Sequence, residues 1–325
     1  MRRQTLATDN PQTIAWVGDE VVDWVRLKNY GPGSSEPQQT QRGFGFPFNR
    51  AITSPDGQYA FVYQVLGTKG ILLKNGEQLR EINRSYYHAE TYEYPAAFAT
   101  VDGTTYLIHC PVEYSQLDFE NVETGELITN IPGRQPSDVF HSRLEISPEG
   151  GYLMSKGWCW HPWDIIVVFD IGACLTNPLL LDRSDLRPDT YTELSTAGFI
   201  SETTILLGAS NEEAMDDEEP LQIPPGCVAR WNFIDDEYAP AVNIGEAFGN
   251  LFPIDAHRAW DLYKYPKIID LDTGEVIDKL EALDTGLQCS SIIHHIGVVP
   301  AIIYNRRTSQ VAVKVGTQLE LLSVE

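Results

Sequence analysis

ITSPDGQYAFV (52–62), FATVDGTTYLI (98–108) and EISPEGGYLMS (145–155) follow one pattern. Each runs from an apolar strand end through a tight Gly-containing turn into an alternating strand. The turns begin at Ser54, Thr100 and Ser147, roughly 46–47 residues apart. Weaker copies follow in FISETTILLGA (199–209), FPIDAHRAWDL (252–262) and IGVVPAIIYNR (296–306). Strand-forming repeats at roughly this period mark a propeller or a similar array. A second motif lies between the first copies. GILLKNGEQLREI (70–82), LDFENVETGELITNI (117–131) and IIDLDTGEVIDKL (268–280) each read strand, turn, strand. Their NGE, ETGE and DTGE turns supply the positive φ that a tight hairpin needs.

The repeating unit is therefore four antiparallel strands, a to d, joined by short turns. A single sheet of this size cannot bury both faces, and radial stacking solves that problem. Helical periodicity is nearly absent. The chain of 325 residues reads as one all-β domain, 1–325, folded as a single β-propeller. Complete units start near residues 50, 97, 143, 197, 250 and 291. The stretch 13–27 adds an N-terminal hairpin that belongs to a further blade or helps close the ring, so seven blades are expected, with six as the alternative count. Residues 28–45, rich in Gly, Pro, Ser and Gln, read as an irregular loop after that hairpin.

The SPDG turn between strands a and b and the D-x-x-T-G-E turn between c and d resemble those of the WD-repeat-like β-propellers. The resemblance runs from about Phe46 to Glu325. It implies a propeller whose b–c and d–a connections share one face of the disc and whose a–b and c–d turns share the other. No Gly-His pair opens the repeats here, and Trp163-Asp164 and Trp260-Asp261 do not fall at the end of strand c.

Composition narrows the partners. The formal net charge is −23. A nucleic-acid binder needs a basic footprint, and an anionic membrane surface attracts basic segments, so neither is expected and a basic protein partner fits better. No apolar leader follows Met1-Arg2-Arg3, and no run of about 18 apolar residues occurs. Cys110, Cys159, Cys174, Cys227 and Cys289 are widely spaced, without a C-x-x-C pair. That pattern suits a reducing compartment, read here as the cytoplasm, better than a disulfide framework or structural zinc.

The unusual residues fall in the predicted b–c and d–a connections, where a rigid scaffold presents recognition groups. WCWHPWD (158–164) reads as one b–c loop and offers Trp158, Trp160, His161 and Trp163 as a contact patch, since Trp and Tyr concentrate binding energy. The d–a loop 83–95 contributes Tyr86, Tyr87, His88 and Tyr92. The b–c loop 210–226 carries Glu212, Glu213, Asp216, Asp217, Glu218 and Glu219, which would steer a basic partner; lysine is absent from 157 to 263.

Catalytic signatures are weak. Cys159 and His161 are neighbours along the chain, which is poor support for a nucleophile and its base. His294-His295 falls on a predicted strand a, where adjacent side chains point to opposite faces. A channel metal could recruit His88, Asp138, His141 and Asp255, but no spacing singles them out. No nucleotide or hydrolase motif occurs. The expected function is a non-enzymatic protein-binding propeller without cofactor or metal, with an acidic inhibitor or immunity protein capping a basic toxin or nuclease as the narrower form. The alternatives are a hydrolase or lyase with a channel metal and a general interaction scaffold.

Overall fold

The computed structural model describes residues 1–31, 44–183, 185–211, 221–297 and 299–325. Seven antiparallel sheets follow one another along the chain as the blades of a β-propeller. Blade 1 is Ala15–Val17, Glu20–Asp23 and Lys28–Tyr30. Blade 2 runs from Arg50–Thr53 to Glu77–Asn83, and blade 3 from Ala96–Val101 to Asp118–Asn121. Blade 4 is Glu145–Ile146, Tyr152–Cys159 and Trp163–Asp170. Blade 5 begins at Leu194–Phe199, blade 6 at Leu251–Pro253 and blade 7 at Ile302–Asn305. The first strand of each blade is innermost, next to those of its neighbours around a central channel.

The turns that repeat in sequence repeat in structure. In blade 2 the Ser54 hydroxyl accepts the Tyr59 N–H at 2.9 Å while Gly57 takes a φ of 73°. In blade 4 Ser147 accepts the Tyr152 N–H at 2.8 Å, with Gly150 at 86°. A side-chain oxygen thus closes the a–b turn, and glycine supplies the left-handed residue without steric cost. The c–d turns share an Asx turn. Asn121 Oδ1 accepts from Glu123 and Thr124, and Asp270 Oδ1 accepts from Asp272 and Thr273.

The inner and middle strands bury both faces because alternate residues point to opposite neighbouring blades, while outer strands such as Arg2–Ala7 and Glu77–Asn83 stay largely exposed. In strand b of blade 4, Leu153 packs towards blade 3 and Met154 towards blade 5. In strand c, Val167 and Phe169 face blade 3, while Ile166 and Val168 face blade 5. One such apolar cluster fills every blade interface around the ring.

Several expectations change in detail. Among the described residues blades 2, 6 and 7 have four strands, blades 1, 3 and 4 have three, and blade 5 has five. In blade 4 strand c runs directly into the helix Ile171–Thr176, capped by Asp170 Oδ1 on Ala173 N at 2.8 Å, and Val168 of strand c bridges to Leu186 on its outer side. Lys28–Tyr30, inside the span read as irregular loop, pairs with Glu20–Asp23 and completes blade 1 as a blade of its own. The last blade starts at Ile302 instead of near 291, and His294 and His295 lie in a turn, not on a strand.

The ring is closed by a strand that the periodicity does not announce. Arg2–Ala7 pairs with Gln318–Ser323 from Arg2↔Ser323 to Ala7↔Gln318. Glu320 is buried and takes a bidentate pair from Arg3, at 2.8 and 2.9 Å, and the Thr5 hydroxyl at 2.8 Å. The N-terminal ammonium meets Asp278 of blade 6. The N-terminal strand thus forms the outer strand of blade 7, so the last blade is completed by the first residues of the chain.

Candidate functional site: an aromatic platform on the loop face

The end of strand b and the start of strand c in each blade lie with the d–a connections on one face of the disc. On that face an eighth apolar cluster lies outside the seven blade interfaces. Tyr92, Phe140 and Trp158 form its buried floor, with Tyr114 and Ile292 against it. These residues come from four separate connections and one strand end. Trp158 is the penultimate residue of strand b of blade 4, and its backbone pairs with Phe140, with N···O distances of 2.8 and 3.1 Å. Gly157 allows this approach, because a Cβ there would lie 2.2 Å from the Phe140 carbonyl oxygen. The rings then stack: Phe140 lies 3.9 Å from Trp158 at 5°, and Tyr114 lies 4.4 Å from Phe140 at 24°.

The surface built on this floor is narrower than the sequence suggests. The b–c loop of blade 4 is the short turn 160–162, since Cys159 pairs with Trp163 and Trp158 with Asp164 in the strands. Trp158 and Tyr92, expected at the surface, are buried. Trp163 is half-buried. Trp160 is 42% exposed and packs edge-on against Trp158, at 5.4 Å, and His88, at 5.2 Å. His161 sits at the turn apex with a φ of 89° and is exposed. Tyr86 is 85% and Tyr87 42% exposed, and the Tyr87 ring lies 4.9 Å from that of Tyr114. Tyr94 is buried with Tyr92 around the Arg84 guanidinium, 4.8 and 4.6 Å from the ring centres. Periodicity is silent in loops, so the sequence could not separate the rings that form the floor from those that stand on it.

The connection between blades 6 and 7 has a role that the sequence reading missed. It crosses the disc face. Ile293 N donates to Thr91 O at 2.9 Å, and Ile292 bridges to Tyr92, between blades 2 and 3. Ser291 N donates to Asp164 of blade 4 at 3.1 Å, and the Ser291 hydroxyl meets the same carboxylate. Asp164 also receives the counter-field of Arg143, yet burial pushes its carboxyl above the ordinary value. The Trp-Asp dipeptide was visible at 163–164, but its anchoring partner lies 127 residues away.

The residues weighed for chemistry do not converge. His141 is buried, with Nδ1 3.0 Å from the Ser155 hydroxyl. Asp138 accepts the Tyr114 hydroxyl at 2.6 Å. Asp255 lies in the a–b turn of blade 6, on the opposite face, paired with Arg258 at 2.8 Å. Cys159 contacts the Trp163 carbonyl, at 3.7 Å, and its thiol is pushed up by burial. His109 and Cys110, at the end of a strand b, are buried, with His109 2.9 Å from Glu120. Among the described residues no group of three His, Cys, Asp or Glu side chains is placed to hold a metal ion. Glu212, Glu213, Asp216, Asp217, Glu218 and Glu219 lie outside the described residues. No disulfide joins any of the five cysteines, and no helix among the described residues is long and apolar enough to cross a membrane.

The chain is a seven-bladed β-propeller by its structure, and neither a family model nor a curated protein matches its sequence.

Proposed function

We propose that this propeller is a non-enzymatic binding protein that docks a protein partner on the face carrying the aromatic platform. The observation behind this reading is the exposure of Tyr87 and Trp160 directly over a stacked, buried floor, with the exposed Tyr86 beside Tyr87 in the chain. Rings held in this way lose little conformational freedom on binding, and aromatic anchors over a dry base are the usual form of an interface hot spot. The formal charge of −23 favours a basic partner. The narrower reading is an acidic inhibitor or immunity protein that covers a basic toxin or nuclease, with the acidic stretch at 212–219 steering the approach. A cytoplasmic location agrees with five cysteines and no disulfide. The WD-repeat-like assignment rests on the SPDG and D-x-x-T-G-E turns alone.

The test is affinity capture from cells that make the protein, with wild type and the double variant Tyr87→Ala/Trp160→Ala in parallel. The wild type should retain a basic protein. The variant should lose it by about 2 kcal/mol or more of binding energy, with an unchanged melting temperature. Equal retention of the same protein by both would remove the platform from the interface.

A further inference from the structure

The channel end beneath the crossing connection holds a cavity of about 340 Å³. Its walls are the first residues of several inner strands, and Thr285, Gln288, Val299 and Pro300 of the crossing connection form part of its lining. The size falls at the small end of ligand-binding cavities.

Its charge runs against that of the molecule. The chain carries −23 overall, yet among the described residues Arg50, Arg143, Lys156 and Arg306 line this cavity against Glu93 and Glu145. Glu145 is shared by two cations, with Lys156 Nζ at 2.6 Å and Arg306 on its other oxygen. Burial alone would raise the Glu145 carboxyl, but Lys156 and Arg306 hold it below its ordinary value. That carboxylate is fully engaged. Glu93 meets only the Tyr63 hydroxyl, at 3.5 Å.

The two remaining guanidiniums have no carboxylate within ion-pair distance among the described residues. Arg50 donates to backbone oxygens of Asn49, Val299 and Pro300, at 3.1, 3.3 and 3.0 Å. Arg143 gives Nε to Lys156 O at 3.2 Å and Nη2 to Ser195 O at 3.0 Å. Its Nη1 is buried without any hydrogen-bond partner. Its backbone is held at a φ of 45°, a conformation that costs a non-glycine residue energy and persists only where the surroundings enforce it. A buried charged donor left unmet is expensive. A strained backbone that holds it in place is a common mark of a binding site. The other walls mix polar side chains such as Asn250 and Gln288 with apolar ones, Ile52, Phe252 and Leu262 among them.

The geometry points to a binding site for a small organic carboxylate in this cavity, its carboxylate between Arg143 and Arg50 and its apolar body against Phe252 and Leu262. Planar guanidiniums match a carboxylate edge with paired N–H donors. The apolar part of the lining, at Phe252 and Leu262, favours a ligand with a hydrocarbon or aromatic body over a free inorganic ion. This site is separate from the aromatic platform and does not depend on a protein partner.

The experiment is calorimetric titration, with thermal melts, of the full-length protein against phenylpropionate, phenyl phosphate, phenylpropanol and phenylpropylamine. Phenylpropionate should bind saturably at one site and raise the melting temperature, while the alcohol and the amine should do neither. Arg143→Gln should weaken phenylpropionate binding at least about tenfold, as expected when a charge-assisted contact is lost. Arg50→Gln should weaken it similarly, and it decides the matter if the Arg143 variant fails to fold. The proposal is overturned if phenylpropionate does not bind up to its solubility limit, or if phenylpropanol binds equally well. It is also overturned if the folded variants bind like the wild type. Tighter binding of phenyl phosphate than of phenylpropionate would overturn the carboxylate assignment.

Discussion

Replacing Trp158 by alanine should destabilise the fold by about 3 kcal/mol, and replacing it by phenylalanine should cost less than about 1 kcal/mol. The magnitude follows from the ring's surroundings. Trp158 is 3% exposed, and its indole lies 3.9 Å from Phe140 and nearly parallel to it. Burial of a ring this size removes roughly 150–250 Å² from water, worth about 4–6 kcal/mol at 25 cal/mol per Å². Trp-to-Ala changes in cores usually cost about 3–5 kcal/mol. One feature lowers that figure. The indole N–H is buried with no acceptor among the described residues, a penalty of about 1–3 kcal/mol that the alanine variant escapes. Phenylalanine escapes it too and keeps the stack on Phe140. Urea unfolding of wild type, Trp158→Ala and Trp158→Phe, analysed at a common m-value, measures all three. Trp160→Ala is the control, since that ring is 42% exposed, and its cost should stay below about 1 kcal/mol. If Trp158→Ala unfolds within about 1 kcal/mol of wild type, Trp158 is not a structural floor. If Trp158→Phe is as damaging as Trp158→Ala, the indole N–H has a partner and the account of its orphaned donor is wrong.

Three further outcomes are expected. Arg3→Ala strips the paired donors from buried Glu320; it should cost about 1–2 kcal/mol, and deleting residues 1–7 should cost far more by exposing an open strand edge, both read from thermal melts. Burial lowers the His141 pKa to about 4 from an ordinary 6.5; the unfolded chain therefore binds the extra proton first, so this contribution is full above pH 6.5 and is lost as pH falls towards 4. It is on the order of 3 kcal/mol, and it should vanish in His141→Gln when urea midpoints are compared across that range. Cys110, Cys174 and Cys227 are buried, and burial pushes the Cys174 thiol up to about 12; a thiol reagent should therefore modify only Cys159 and Cys289 quickly in the native protein and all five after unfolding without reductant, whereas a native count of five would contradict the packing.

The repeat was legible because its causes are local. A Ser54 or Ser147 hydroxyl that closes a turn onto the residue five places later, with a glycine inside the turn, needs nothing from the rest of the chain. The unbroken apolar runs at 153–154 and 166–169 record burial on both faces, so blade stacking could be inferred without knowing any neighbour. For the same reason unit starts read near 50, 97, 143, 197 and 250 agree closely with strands that begin at 50, 96, 145, 194 and 251. The last unit misled because its apolar letters at 292–293 and 299–300 belong to the connection that crosses the disc, and a connection packed on other loops can share a strand's composition.

What the sequence alone determined is therefore the architecture: an all-β chain, built from repeats, closed as a propeller, acidic overall. Everything that depends on residues far apart in the chain waited for the tertiary structure. Arg2–Ala7 became the closing strand only because Glu320 and its neighbours lie opposite it. Trp158 and Trp160, two positions apart, separated into floor and surface because Phe140 covers one and solvent the other. The cationic cavity has no signature along the chain at all. Arg50, Arg143, Lys156 and Arg306 come from three blades, and only closure of the ring brings their charges into one space. Hydrogen-bonded turns and side-chain alternation act over a few residues and are written in order. Convergence of charge and stacking of rings act through space, where sequence order carries no information about distance.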